Sequence, residues 1–254
     1  MNIEEYQLVS EVQTSHWWWL GRRKILETLI ETHFDMTKKL RIADVGAGFG
    51  ANVSMLRQYG DVTALELNKD AIMQMEQKWG ESVRTIIWKS PDKIDGDFDL
   101  ILLADVLEHI PNDQEAAAWI WDHLAPGGSV ILTAPAHAYL WSDMDDVVCH
   151  YRRYTADQLK ALFPAPFEKV FLSYYNFLLF PVKLLFLGAV RIRRLLFRNA
   201  PKRSFNDKPM HLINSLFKYV LYIEAKLMKH TALPYGVSLV GIMRKPLNDK
   251  NESS

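Results

Sequence analysis

Asp44-Val45-Gly46-Ala47-Gly48-Phe49-Gly50 is a glycine-rich turn, and it indicates the fold better than any other segment of this chain. It follows an apolar-biased run at residues 40–43 and precedes a helix-like segment. Three glycines at alternate positions leave no side chain over a tight turn, so a ligand can approach the backbone closely. Amide groups at the start of the following helix then face that ligand. The carboxylate of Asp44 suits a polar or cationic ligand better than a pyrophosphate.

Apolar runs alternate with helix-like segments between residues 40 and 135, which predicts parallel βαβ units. With a sixth strand at 168–174 and a seventh at 235–243, the pattern predicts an α/β fold with a doubly wound, mostly parallel, seven-stranded, Rossmann-like sheet. The first five predicted strands are 41–45, 62–67, 83–88, 98–104 and 129–134, and the helices between them are 52–59, 70–80 and 114–124.

Length and composition are those of a folded globular protein. The chain has 254 residues, 30 basic and 30 acidic, and this balance argues against a general nucleic-acid partner. The one cysteine, Cys149, excludes an internal disulfide and fits a reducing compartment. Residues 1–5 have neither a basic leader nor an apolar core, so we expect no secretory signal and a cytoplasmic location. The sequence does not indicate an oligomeric state.

The chain is long for one average domain and short for two, so we expect one core with elaborations. The predicted parts are an N-terminal helical cap at 1–39, a ligand-binding α/β core at 40–174, an apolar and basic helical insert at 175–233, a final strand at 234–247 and a tail at 248–254.

Glu66 lies 20 residues beyond Gly46, at the end of the second predicted strand. A carboxylate there can accept hydrogen bonds from both hydroxyls of a ribose, as in dinucleotide folds. The glycines also fit the G-x-G-x-x-G/A pattern of nicotinamide sites. Glycine spacing alone therefore leaves two ligands open, an adenosine-bearing small molecule with a polar or cationic part and a nicotinamide dinucleotide.

Further segments favour the first of these ligands. A fourth strand runs into Asp105-Val106-Leu107-Glu108-His109, and Leu124-Ala125-Pro126-Gly127-Gly128 separates a helix from the fifth strand. Together with the D-x-G-x-G-x-G turn, these segments resemble class I S-adenosylmethionine-dependent methyltransferases of the small-molecule type. The resemblance covers roughly residues 40–135. Segments 150–155 and 233–240 also look like parts of that family.

The resemblance implies a cofactor, S-adenosylmethionine, and a set of residues that hold it. Asp44 would lie near the ammonium group, Glu66 would hold the ribose and Leu67 would cover the adenine. Ser90 stands where the family often has an acidic residue that reaches the adenine amino group, so Ser90 or a backbone group would substitute. The remaining cofactor-binding candidates are Gly46, Ala47, Gly48, Gly50, Asp105 and Val106.

Methyl transfer to an oxygen or nitrogen atom can also use a general base. His109 leads because the resemblance places it at the cleft, and His150 is the second candidate, with His137 and Tyr151 behind them. Asp105 and His109 are four residues apart, but two ligands without a third make a poor metal site, so we expect no metal.

Two clusters of aromatic and basic residues have more than one interpretation. The rings of Trp17-Trp18-Trp19 cannot all face one way on a helix, so they either pack against the sheet edge or form a lid over the substrate. Arg152 and Arg153, flanked by Tyr151 and Tyr154, suit either an anionic group of a substrate or an ion-pair cluster with the acids at 143–146.

The insert begins with an apolar segment at 176–190, and a basic cluster follows. Pro181 and Lys183 interrupt the apolar run, so a membrane-spanning helix is not expected. Two interpretations remain: an interfacial helix on an anionic membrane surface, and a cap that packs with a second helix at 211–230 over the substrate. The basic cluster consists of Arg191, Arg193, Arg194, Arg198, Lys202 and Arg203.

The sequence favours a methyltransferase that acts on a small-molecule, glycan or lipid-linked acceptor, at the cytoplasmic face of a membrane if the insert binds lipid. An NAD(P)-dependent oxidoreductase is the first alternative, because the glycine and Glu66 spacing also fits it. A non-catalytic, membrane-associated module on the same fold is the second alternative.

Overall fold

The computed structural model describes residues 11–196 and 210–247. Several predicted features lie outside these ranges: the first ten residues of the N-terminal cap, the polar tail, and Arg198, Lys202 and Arg203 of the basic cluster. The helices of the described residues are α1 (Trp17–His33), α2 (Val53–Leu56), α3 (Lys69–Trp79), α4 (Asp113–His123), α5 (Asp143–Val147), α6 (Ala156–Leu162), α7 (Phe180–Leu196) and α8 (His211–Met228).

Seven strands form one sheet in the order β3-β2-β1-β4-β5-β7-β6. They are β1 (Leu40–Val45), β2 (Gly60–Glu66), β3 (Arg84–Ile87), β4 (Phe98–Ala104), β5 (Leu124–Pro135), β6 (Glu168–Tyr175) and β7 (Ser238–Arg244). The pairs among β1 to β5 are parallel. β7 runs antiparallel to β5, because Lys245 bonds to Gly127 and Gly128 while Val237 bonds to Ala136.

The predicted fold class is confirmed: a mostly parallel, Rossmann-like sheet, preceded by a helix and interrupted by two helices before its last strand. β1 and β4 are central and buried on both faces, which explains why they read as nearly continuous apolar runs. In the middle of the sheet, Ala43 pairs with Thr63 of β2 and with Ile101 of β4.

Several predicted boundaries differ from the structure, most of them by one to three residues, and two differences have a clear structural cause. β5 begins at Leu124 and not at residue 129, because the Pro-Gly-Gly segment lies within the strand as an irregularity: Phe98 pairs with Leu124, but Leu100 already pairs with Ser129. The helix expected at 52–59 is a single turn, α2, followed by a hydrogen-bonded turn up to Tyr59.

The chain divides into two compact units. The first, which we call the helical unit, comprises the described residues within 1–34, 134–156 and 173–239. The second, the sheet unit, comprises 35–133, 157–172 and the described residues from 240 onward. The glycine turn and the ends of strands β1, β2 and β4 belong to the sheet unit.

Helix α1 packs on helix α8 inside the helical unit. Gly21 of α1 lies directly against Leu221 of α8, where any side chain would collide. The Asn214 side chain accepts a hydrogen bond from the N–H of Trp17 at 2.7 Å. Its amide nitrogen donates to the carbonyl of Ser15, just before helix α1. The last helix of the insert is therefore held by a segment almost 200 residues away.

The tryptophans of α1 serve this packing. Trp17 meets Phe217 of α8 edge to face at 5.2 Å, and Trp18 stacks on Tyr175 at the end of β6, the edge strand of the sheet. The guanidinium of Arg22 lies 4.6 Å from the centre of the Trp19 ring. These contacts support the interpretation that the rings are a packing element. None of these contacts indicates that the rings form a lid over a substrate.

Candidate functional site

All three glycines of the turn have left-handed backbone angles, with φ of +66° at Gly46, +56° at Gly48 and +76° at Gly50. Side chains other than glycine rarely adopt this conformation. A Cβ atom at Gly46 would lie 2.8 Å from Val106, and one at Gly50 would lie 2.5 Å from the Trp79 ring. At Gly48 such an atom would meet no heavy atom within 4 Å. The turn therefore packs tightly at its two ends and is open at its centre.

The predicted acids stand at the carboxyl ends of two adjacent strands. Asp44 is buried near the end of β1, and Glu66 is the last residue of β2. One Glu66 oxygen accepts the N–H of Gly48 at 2.8 Å, and the other accepts the N–H of Asn68 at 2.9 Å. Glu66 thus ties the open centre of the glycine turn to the loop that follows β2.

The turn after β4 is fixed by β5. The Asp105 carboxylate accepts the Thr133 hydroxyl at 2.9 Å, and the Asp105 N–H donates to the Thr133 carbonyl. Asp105 is not a helix cap, because Val106 is the residue that precedes the short 3-10 helix Leu107–His109, without a capping side chain. Asp105 has a φ of +59°, a conformation that costs a non-glycine residue about 1–3 kcal/mol and that is common at functional sites.

The two candidates for the adenine end differ in exposure. Leu67 follows Glu66 directly and is 61% exposed, which leaves an aliphatic side chain open to a ligand. Ser90 is partly exposed in the turn after β3. That turn is held in place because the indole N–H groups of Trp88 and Trp119 both donate to the carbonyl of Asp92, at 2.7 and 2.8 Å.

The two candidate bases belong to different units. His109 is the half-buried last residue of the 3-10 helix after β4, in the sheet unit. His150 is in the helical unit, where its Nδ1 lies 2.9 Å from Oδ1 of the fully buried Asp145. Asp145 therefore fixes the orientation of the His150 ring.

Asp145 also decides the role of one arginine. Arg153 binds both oxygens of Asp145, at 2.7 and 2.9 Å, and its third nitrogen reaches the carbonyl of Ala136. Burial alone would raise the pKa of Asp145, but hydrogen bonds from His150 and Arg153 outweigh it and hold that pKa below its ordinary value. Arg153 is thus part of an ion-pair cluster, as the second of the two interpretations expected.

His137, the third histidine candidate, lies in a stack of aromatic rings. It is 6% exposed, with a φ of +57°, and its ring is nearly parallel to those of Tyr174 and Tyr235, at 5.0 and 4.3 Å. Its Nε2 has no hydrogen-bond partner among the described residues. Burial, and then the charge of Arg153, lowers the pKa of His137, so the ring is neutral at pH 7.

Sequence reasoning missed three residues that shape the site. Trp79 closes one end of the glycine turn, Asn68 caps helix α3 while its N–H binds Glu66, and Thr133 holds Asp105. Only Asn68 had a local signal, since an asparagine directly before a helix with an acid in its first turn is typical of an N-cap. Trp79 and Thr133 act through contacts between distant parts of the sequence.

Comparisons with known proteins agree with this geometry. A family model described as a methyltransferase domain matches residues 43–130, which run from the end of β1 into β5. A trans-aconitate 2-methyltransferase of Deinococcus radiodurans is 27% identical over 100 residues, 38% of each chain. A ubiquinone biosynthesis O-methyltransferase of Methylococcus capsulatus is 26% identical over 135 residues, 47% of this chain and 56% of that one.

The chain thus spans less than two thirds of the length of these two relatives. Among solved structures, the N-methyltransferase NodS of Bradyrhizobium japonicum WM9, in complex with S-adenosyl-L-homocysteine, is similar with a TM-score of 0.53 and 13% identity. The match covers 89% of this chain and 85% of NodS, so it extends the shared fold beyond the region of the family model. The glycine turn and strands β2 to β4 lie within residues 43–130, the region that matches the methyltransferase-domain family model, and the likeness to NodS shows that most of the chain shares the fold of that protein.

Proposed function

We propose that this chain transfers a methyl group from S-adenosylmethionine to a small-molecule acceptor. The observation that carries the proposal is the open centre of the glycine turn at Gly48, with Asp44 and Glu66 at the two strand ends beside it. A side-chain-free backbone fits close approach of a nucleoside, and buried carboxylates fit a ligand that carries ammonium and hydroxyl groups.

The residues present fit this cofactor. Each Glu66 oxygen already accepts one backbone N–H, but an ionised carboxylate offers about four lone-pair sites, so both oxygens keep capacity for ribose hydroxyls. Asp44 would pair with the ammonium group, and the exposed Leu67 side chain would cover the adenine. Ser90 would serve the adenine edge, and Asp105 and Val106 would border the methyl-bearing end.

When bound, the cofactor supplies a methyl group that the positive sulfur already activates. The chain then has to orient the acceptor, exclude water and receive a proton. We assign proton acceptance to His109 or to His150. Because Asp145 occupies Nδ1 of His150, its other ring nitrogen would accept the proton. His137, neutral and buried, is the reserve candidate.

The finer choice of acceptor rests on the insert. Helices α7 and α8 present many large apolar side chains to solvent, Leu185 and Leu212 the most exposed among them. A lipid-linked or glycan-bearing acceptor, met at the cytoplasmic face of a membrane, would suit this surface better than a small polar metabolite. No helix among the described residues is long and apolar enough to cross a bilayer.

Calorimetric titration tests the cofactor assignment. We expect S-adenosylmethionine and S-adenosylhomocysteine to bind the parent protein, and NADH to produce no change in fluorescence. Asp44→Ala should bind S-adenosylmethionine at least tenfold more weakly, since a charge-assisted hydrogen bond is worth about 1.5–3 kcal/mol. Binding of NADH instead would favour the oxidoreductase. Binding of S-adenosylmethionine without turnover on a broad acceptor panel would favour the non-catalytic module.

A further inference from the structure

Helix α7 carries an apolar stripe that faces solvent. The stripe residues are spaced by three or four positions, so they lie along one side of the helix over about 20 Å. They are Val182, Leu185, Ala189, Ile192 and Leu196, and the four larger side chains are between 46% and 77% exposed. The buried Leu187 lies on a different side of the helix.

Helix α8 carries a second stripe of the same kind. Its residues are Leu212, Leu216, Tyr219, Ile223 and Leu227, again three or four positions apart and between 44% and 79% exposed. The opposite side of α8 is already in use, because Asn214, Phe217 and Leu221 contact helix α1. An α-helix that is apolar on both sides is normally buried, so the outward stripe of α8 requires a partner.

The charges beside these stripes are cationic. Helix α7 contains no acidic residue, and the one acid of α8 is Glu224. Glu224 is fully buried, and its carboxylate accepts the N–H groups of Asn176 and Leu178 at 2.6 and 2.8 Å. Lys183 is directed inward, where burial and then the charge of Arg153 lower its pKa to about 8. The other basic residues of the two helices with described side chains are Arg191, Arg193, Lys218 and Lys226.

We propose that the outward stripes of α7 and α8 insert into the interfacial layer of an anionic lipid bilayer. Elongated aliphatic stripes with cationic neighbours match the two parts of such a surface, its acyl chains and its negative headgroups. Because neither helix is apolar enough to span a bilayer, the helices would lie in the plane of the interface. This inference concerns where the chain works, and it stands whether or not the chain transfers methyl groups.

Vesicle flotation tests the proposal on the full chain. We expect the parent protein to float with vesicles of phosphatidylcholine and phosphatidylglycerol, and to float less with phosphatidylcholine alone or at high salt. Leu185→Glu and Leu216→Glu should each lower the partition coefficient about tenfold or more, because each removes an apolar side chain that would enter the bilayer and adds a negative charge.

Met73→Glu is the matched control, since Met73 is 50% exposed on helix α3, outside both stripes. It should float like the parent, and all variants should keep the parent's circular dichroism and its affinity for S-adenosylmethionine. Equal flotation of the parent and both stripe variants would overturn the proposal. A second result would also overturn it: the parent does not bind the vesicles, sedimentation shows that it is a dimer, and Leu216→Glu dissociates this dimer. The stripe would then contact a second copy of the chain.

Discussion

The carboxylate of Glu66 accepts the N–H of Gly48 at 2.8 Å, across 18 residues of sequence. Gly48 is the one glycine of the turn at which a Cβ atom would meet no other heavy atom within 4 Å. Side-chain packing therefore does not hold its left-handed backbone in place. Glu66 supplies that restraint from the end of the neighbouring strand, and its second oxygen holds Asn68 at the start of helix α3. The acid expected to bind the ribose therefore also shapes the backbone on which the cofactor would lie.

Glu66→Gln should weaken both folding and cofactor binding. The amide keeps one acceptor oxygen but turns an NH2 group toward a backbone N–H, so one charge-assisted hydrogen bond is lost and one donor is left facing another. We expect the free energy of unfolding to fall by about 1–3 kcal/mol in urea denaturation. The Kd for S-adenosylmethionine should rise at least tenfold. Glu81→Gln, at an exposed acid, should change neither value.

Gly48→Val should abolish cofactor binding while the fold persists. Gly80 provides a matched control, because its φ of +53° is nearly that of Gly48 and a Cβ there also meets no heavy atom within 4 Å. Both valines would have a positive φ, which is unfavourable for a β-branched residue. Only the side chain at position 48 would occupy the proposed cofactor space. Equal loss of binding in Gly48→Val and Gly80→Val would show that strain, and not occupancy, is responsible.

Much of the sheet unit could be predicted because its information is local. A glycine turn after a buried strand has few alternatives, and the mostly apolar runs of β1 and β4 are what central parallel strands require. The predicted start of β5 was wrong because proline and two glycines usually end a strand. The pairing of Phe98 with Leu124 instead keeps this segment in the sheet.

The rest depended on contacts between residues distant in sequence. The adjacent arginines at 152 and 153 and the acids at 143–146 allowed two equal interpretations, and only the position of Arg153 against Asp145 separates them. The packing of Trp79 on Gly50 and of Trp17 on Phe217 likewise has no local signal. The helix at 211–230 was expected only as part of a cap, and its two apolar sides are seen only in its contacts with α1 and in its exposed stripe.

Stability should fall as the pH drops from about 6.5 to about 4, because of His16. This residue caps α1, its Nδ1 accepts the N–H of Trp18, and burial lowers its pKa from 6.5 to about 4. Between these values the unfolded chain binds a proton that the folded chain does not, so acid favours unfolding. Thermal unfolding across this pH range measures the effect.

His16→Asn separates this titration from the other histidines. Asparagine is a good N-cap and does not titrate, so the variant should keep α1 capped but lose part of the pH dependence between 6.5 and 4. His230→Asn, at an exposed histidine, should retain the parent's dependence. If the two variants show the same pH profile, His16 is not the group that titrates.

Gly21→Ala should destabilise the chain, against the usual rule for helices. In an exposed helix interior this change gains about 1 kcal/mol, but here the new methyl group would collide with Leu221 and cost about 1–3 kcal/mol through overpacking. Gly188→Ala in α7 is the control, because nothing lies within 4 Å of its Cβ position, and it should stabilise.

Leu221→Ala alone should cost about 2–5 kcal/mol by leaving a cavity. In the double variant the alanine at position 21 would occupy part of that cavity, so the double variant should lose less than the sum of the two single losses. Urea denaturation of all four proteins measures this coupling. Additive losses would mean that α1 and α8 do not meet at Gly21 and Leu221. The side of α8 that packs on α1, opposite the outward stripe, would then have to be a different one.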